Sequence, residues 1–369
     1  MTAVPLFKVH TPAAAHGALK PVLESGRLAC GPQVARFEER FAQWMGAGAA
    51  LAVSDASAAL MLALYTLGVR PGDEVLAPAL ACSATVMPIA SLFARPVWYD
   101  IDSLTGMPAV HHLAAALTPK TRAILLYHWS GDVAPVAAIS DFAKRHDLPL
   151  VEDASEALGA RLRGAQLGGT ADFTVFSFYP TKPLHTGEGA ALLSSDPKRL
   201  QQASRLRRFG FEPGSLRLPN GDLNPRLDIP LAGFNVPMNE VAATLGLAAL
   251  DGIGPILAAH RANGAYYETA LAGVPGLRLL RRETHAESAY WTYSLLAERR
   301  DDLVAKLSAQ GIGAQRLHLR NDGYGCFGGV PSELPGTAEF DAANLSIPCG
   351  WWVDEAARER VVRCIRDGW

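Results

Sequence analysis

Between Ala49 and Ser194 the chain alternates short apolar or β-branched runs with helically spaced stretches, and this rhythm limits the possible folds more than any other feature. The runs Leu51 to Val53, Glu74 to Ala77, Pro96 to Asp100, Arg122 to Tyr127, Pro149 to Glu152, Phe173 to Phe178 and Ala190 to Leu193 read as strands. Ala58 to Leu67 and Val136 to His146 carry helical apolar spacing, and Gly68 and Asp147 stand where those helices should stop. Strand–helix alternation of this kind builds an α/β fold, a mostly parallel sheet flanked by helices. Ligands of such sheets gather at the C-terminal ends of the strands, where Asp153, Ser177 and the turn after Val53 fall.

A polar, Pro- and Gly-rich interval, Glu212 to Pro230, interrupts the pattern before Asn239 to Leu250 resumes a helix. A second unit then follows, with Tyr290 to Leu296 as a strand and Arg300 to Gln310 and Asp354 to Asp367 as helices. At 369 residues the chain exceeds what one core usually holds. The expected division is 1–250 for an N-terminal segment and a large ligand-binding domain, and 251–369 for a smaller C-terminal α/β domain.

The 34 basic and 36 acidic residues form no long run of either sign, which argues against nucleic acid and membrane surfaces as partners. Five scattered cysteines without CxxC spacing argue against a disulfide framework and a metal site, and fit a reducing cytoplasm. The first residues show no export signal, and no long apolar run suggests a membrane span.

Asp153 ends an apolar strand, and Lys182 follows the next strand in a Pro-Thr-Lys-Pro turn. A fixed anion that keeps a pyridinium protonated, together with an amine that holds an aldehyde as an imine, is what pyridoxal phosphate requires. Glu152 and Asp153 also read as an N-cap pair for the next helix, and the two roles are compatible. Ser54 to Ala59 lies between the first strand and the first helix. It reads either as a plain serine cap or as a phosphate anchor at a positive helix end. Ser177 offers a second hydroxyl.

Across nearly its whole length the chain resembles the DegT/DnrJ/StrS-type sugar aminotransferases, fold type I enzymes that use pyridoxal phosphate. The resemblance is carried by SGRLACGPQVARFEERFAQWMG, AVSDASAALMLAL, RPGDEVLAPALACSATVMPIA, EDASEALGA, SFYPTKPLHTGEG and GFNVPMNEVAATLG. It implies that Lys182 forms the internal aldimine and that Asp153 pairs with the pyridine nitrogen. Ser57, Ser177 and the amide of Ala56 would hold the phosphate. Asn235 is similar to the family's asparagine that reaches the phosphate of the neighbouring subunit, which implies a homodimer with shared active sites.

Three positions depart from the family. Glu156 stands where glutamine or histidine usually contacts the cofactor's phenolic oxygen, so its carboxylate is expected to be protonated or turned away. Cys82 replaces an aromatic residue over the ring, and Pro237 replaces an arginine. The resemblance further implies ping-pong transamination from glutamate, or else glutamine, through a pyridoxamine phosphate form to a keto group of a nucleotide-linked sugar. Lys182 would shuttle the protons. His185, His318 and Arg320 are the candidate substrate contacts. A sugar dehydratase of the same fold would carry histidine in place of Lys182, and a non-catalytic binding protein would be expected to lack Lys182 or Asp153.

Overall fold

The computed structural model of the protein describes residues 2–369. Its strands are β1 (Ala50–Val53), β2 (Glu74–Pro78), β3 (Arg95–Tyr99), β4 (Thr121–Tyr127), β5 (Leu150–Asp153), β6 (Arg161–Leu162), β7 (Ala165–Gln166), β8 (Phe173–Ser177), β9 (Ala190–Leu193), β10 (Leu277–Leu279), β11 (Ala286–Glu287), β12 (Tyr293–Ala297) and β13 (Asn344–Ile347). The central sheet has the order β1-β9-β8-β5-β4-β2-β3. Strands β3, β2, β4, β5 and β8 are parallel neighbours, whereas β9 runs against both β8 and β1. That reversal follows from the connection 178–189, whose prolines and glycines form no helix. A parallel return needs a crossover, usually helical, so the chain comes straight back beside β8.

Helices cover both faces of this sheet, which is why its inner strands read as unbroken apolar runs. Val53, Phe173, Val175 and Leu192 are fully buried, while edge strand β3 begins with an exposed arginine. The helix Ala56–Thr66 is apolar nearly all round because it lies between the sheet and the helices Ser83–Ser91 and Pro197–Leu206. Asp55 starts it by accepting from the Ala58 amide at 2.8 Å, and Gly68, at φ +92°, turns the chain away after it.

On the opposite face, the amphipathic helix Pro32–Met45 packs Phe37 and Phe41 edge-on against Phe178, with ring centroids 5.3 and 5.2 Å apart. Each buried ring contributes about 2–3 kcal/mol, and together they pin the start of the segment that carries Lys182. The Glu240 carboxylate, distant in sequence, accepts from the Gln33 and Val34 amides at 3.0 Å each and so caps this helix at its positive end.

The second sheet, β10-β12-β13, is antiparallel and carries the helices Arg300–Ala309 and Glu355–Arg366. Strand β12 starts later than its apolar run, since Tyr290 sits at φ 48°, outside the extended region. The N-terminal segment is sewn onto this unit. Val4 pairs with Ile312, its carbonyl accepts from Gly313 at 2.8 Å, and the Trp352 indole donates to the Pro5 carbonyl at 2.8 Å. Gly313 has no room for a side chain, because a Cβ there would lie 2.5 Å from the Leu6 nitrogen. Trp351 packs edge-on against His10 at 5.0 Å, so the Trp351-Trp352 pair serves this packing. Among the described residues no single helix is long and apolar enough to cross a membrane.

His260, on the helix Ile253–Ala270, is buried where this unit meets the loop before β12. Its Nδ1 donates to the Tyr290 carbonyl at 2.8 Å, and Nε2 has no partner among the described residues. Burial drives its pKa down to about 4. The unfolded chain therefore takes up a proton near the ordinary histidine value while the folded chain does not. This contribution to stability is complete above about pH 6.5 and is lost as the pH falls toward about 4. From about pH 7 to about pH 5 the loss should be about 2 kcal/mol. Urea titrations at the two pH values should show that loss in the parent and a smaller one in His260→Gln; equal losses would assign the acid sensitivity elsewhere.

Candidate active site

The C-terminal ends of β1, β2, β4, β5 and β8 meet at one edge of the central sheet, and a cavity of about 770 Å³ opens there. Its wall brings together Ala56, Ser57, Cys82, Asp153, Glu156, Ser177, Lys182 and His318. Three other residues singled out in the sequence lie outside it. His185 is buried with both ring nitrogens engaged by backbone, Nε2 donating to the His10 carbonyl at 2.8 Å and Nδ1 accepting from Gly187 at 3.3 Å. Arg320 is committed to a two-pronged pair with Asp322, at 3.0 and 2.6 Å. Asn235 is exposed, in a bridge with Arg208, and lines no part of its own chain's cavity.

Asp153 is held rigidly at the end of β5. Its Oδ2 accepts from the Thr85 hydroxyl at 2.6 Å and its Oδ1 from the Ser155 amide at 3.0 Å, and it is 2% exposed. Two directed donors fix the orientation of the carboxylate. Lys182 sits in the connection after β8 with its side chain 10% exposed. Nζ lies 3.5 Å from the centre of the Trp291 ring and 3.7 Å from Glu156 Oε1. Burial lowers the pKa of its amine below the usual lysine range, against the opposing pull of Glu156. A partly desolvated amine of this kind is more readily available as a nucleophile.

Glu156 accepts from the Ser130 amide at 2.8 Å and from His318 Nε2 at 2.9 Å. Burial alone would raise its pKa, yet Lys182 and His318 bring the carboxyl below its ordinary value. Its neighbours thus favour the ionised form of Glu156 in the protein alone. Cys82 precedes the helix Ser83–Ser91, and burial pushes its thiol up, so it presents a small neutral surface and no thiolate.

The helix Ala56–Thr66 points its start at the cavity. Asp55 uses the Ala58 amide, which leaves the Ala56 and Ser57 amides without a partner among the described residues. One more cavity group is in the same position, the buried hydroxyl of Ser155, whereas that of Tyr127 faces the Glu156 carboxylate. Buried polar groups left unsatisfied in this way mark a place built for a ligand. Sequence reasoning missed Phe7, Thr85, Tyr127 and Trp291. Thr85 lies one helical turn beyond Cys82, inside a segment already singled out. Phe7 stacks on Trp291 at 4.9 Å, and nothing local in the chain signals that pairing of distant residues.

A dTDP-3-amino-3,4,6-trideoxy-alpha-D-glucose transaminase of Streptomyces venezuelae is 33% identical over 360 residues, covering 95% of this chain and 90% of that protein. A GDP-perosamine synthase of Caulobacter vibrioides is 34% identical over 290 residues, covering 76% and 74%. The crystal structure of the sugar aminotransferase CalS13 from Micromonospora echinospora superimposes with a TM-score of 0.93 at 33% identity, covering 99% of this chain and 100% of that one. With residues 12–366 matching its profile, the chain belongs to the DegT/DnrJ/EryC1/StrS aminotransferase family.

Proposed function

We propose that this protein is a pyridoxal phosphate-dependent transaminase that moves an amino group from glutamate or glutamine to a keto group of a nucleotide-linked sugar. The observation that carries this reading is the buried Lys182 amine in one cavity with the doubly hydrogen-bonded Asp153 carboxylate. The cavity also fits the cofactor in other respects. Its volume, about 770 Å³, suits a small-molecule site, and the free Ala56 and Ser57 amides at a helix start suit a phosphate. The unpartnered Ser155 hydroxyl suits a polar ligand atom.

In this assignment Lys182 holds the cofactor's aldehyde carbon and moves the proton on the reacting face, and Asp153 keeps the ring nitrogen protonated. Ser57, Ser177 and the Ala56 amide seat the phosphate, and Cys82 and Trp291 line the cavity around the Lys182 side chain. When bound, the cofactor supplies the electron sink that lets an amino acid's α-proton leave. Asn235, exposed and outside its own cavity, would complete the phosphate seat of a second copy. We accordingly read the working unit as a homodimer with 1–250 forming the cofactor-binding part and 251–369 the smaller part, active in the cytoplasm in amino-sugar supply for polysaccharides or related products.

The two curated relatives are named for different nucleotides, so the base is left to experiment. The purified protein, loaded with pyridoxal phosphate, should lose its visible absorbance on addition of glutamate or glutamine and regain it with one of a panel of keto-sugar nucleotides. Mass spectrometry should find the product one ketone oxygen exchanged for an amine. A protein that takes up no cofactor, or one whose absorbance neither donor changes, would overturn the reading.

A further inference from the structure

Glu156 is gripped from two separate parts of the chain. Ser130, just beyond β4, donates its amide to Oε2 at 2.8 Å and is itself held at φ 57°. The Ser130 hydroxyl joins a buried cluster, 2.5 Å from that of Thr292 and 2.9 Å from that of Ser294, which in turn lies 2.9 Å from Ser346 on β13. On the other side His318 Nε2 is 2.9 Å from Oε1. An ionised carboxylate only accepts hydrogen bonds, so this nitrogen carries the proton. The carboxylate cannot swing away without breaking contacts to the β4 turn and to the C-terminal unit together.

This fixed charge lies 3.7 Å from Lys182 Nζ. The other groups that face the amine are the Asp153 carboxylate, the Cys82 thiol, the Tyr127 hydroxyl and the Trp291 ring, with Asp55 and Glu188 further round the cavity. Among the described residues Glu156 alone places a carboxylate oxygen within ion-pair distance of Nζ. A negative charge that close, between two largely buried side chains, favours the protonated form of a nitrogen. A hydrogen-bond donor on the same carboxylate draws some of that charge away.

We propose that Glu156 is a positioning residue that sets the proton occupancy of the Lys182 nitrogen, and that His318 tempers it by holding part of the carboxylate's charge. The proposal rests on the reading of Lys182 as the cofactor's attachment point. It goes beyond that reading by assigning the pair a job of electrostatic tuning, at a position where sequence reasoning foresaw only repulsion.

The test is a pH titration of the visible absorption band of the protein loaded with pyridoxal phosphate. Glu156→Gln should move the midpoint down by about one unit or more, and His318→Gln should move it up. Glu156→Asp, which keeps the charge on a shorter arm, should fall between the parent and Glu156→Gln. Thermal unfolding followed by circular dichroism identifies any variant that has lost its fold. A residue serving structure alone would give no opposed shifts, so an unmoved midpoint in folded Glu156→Gln, or shifts of the same sign in Glu156→Gln and His318→Gln, overturns the proposal. If the parent itself develops no visible band, the fault lies with the cofactor assignment and not with the tuning.

Discussion

Lys182→Ala should give a folded protein that shows no visible absorption band with pyridoxal phosphate and no turnover. Lys182 is the only lysine that lines the cavity among the described residues, so no neighbouring amine can take over its attachment or its proton transfers. Loss of the proton transfers alone should cost about 10²–10⁴-fold in rate, and loss of covalent attachment adds to that. The fold should survive the loss of the Lys182–Glu156 pair, because Glu156 keeps its hydrogen bonds to Ser130 and His318. Absorbance, single-turnover kinetics and thermal unfolding measure these effects. Turnover at the parental rate would remove Lys182 from the chemistry.

The second large effect is expected at Asp153. Asn is nearly the same shape and can still accept from Ser155 or Thr85, so Asp153→Asn isolates the loss of charge. Removing one partner of a buried ion pair costs about 3–5 kcal/mol, which corresponds to about 10²–10⁴-fold in the rate or in cofactor affinity. A cofactor methylated on the ring nitrogen carries a permanent positive charge there and should recover part of the lost rate in the variant but bring no gain to the parent. Full activity of Asp153→Asn with the ordinary cofactor would show that the ring nitrogen needs no anion.

The rhythm of strands and helices was legible because a sheet covered on both faces demands apolar runs, and these are local patterns. The direction of β9 was not, since it depends on the absence of a helix between Phe178 and Gly189 and on where the returning strand finds room. The same division holds at the site. Ser57, Cys82, Asp153, Glu156, Ser177 and Lys182 lie at strand ends or on the turns that follow them, where one chain segment largely decides the placement. Thr85 and Tyr127 required knowledge of which strand ends stand side by side, and Trp291 required the folded C-terminal unit. His185 resembled a substrate residue in the linear sequence, but a histidine with two backbone partners has no nitrogen left for a ligand. The charge of Glu156 made sense only once His318 and Ser130 were seen to converge on it.

The stitching of Val4 to Ile312 and of Pro5 to Trp352, with Phe7 laid on Trp291, sets an order of events during biosynthesis. The ribosome releases Phe7 long before the segment that must receive it, so the earliest-made part of the cavity wall has to wait for a late-made one. A nascent chain could complete its central sheet and still lack a finished site. A chain shortened past Phe7 would lose part of the cavity wall while keeping every strand of its central sheet.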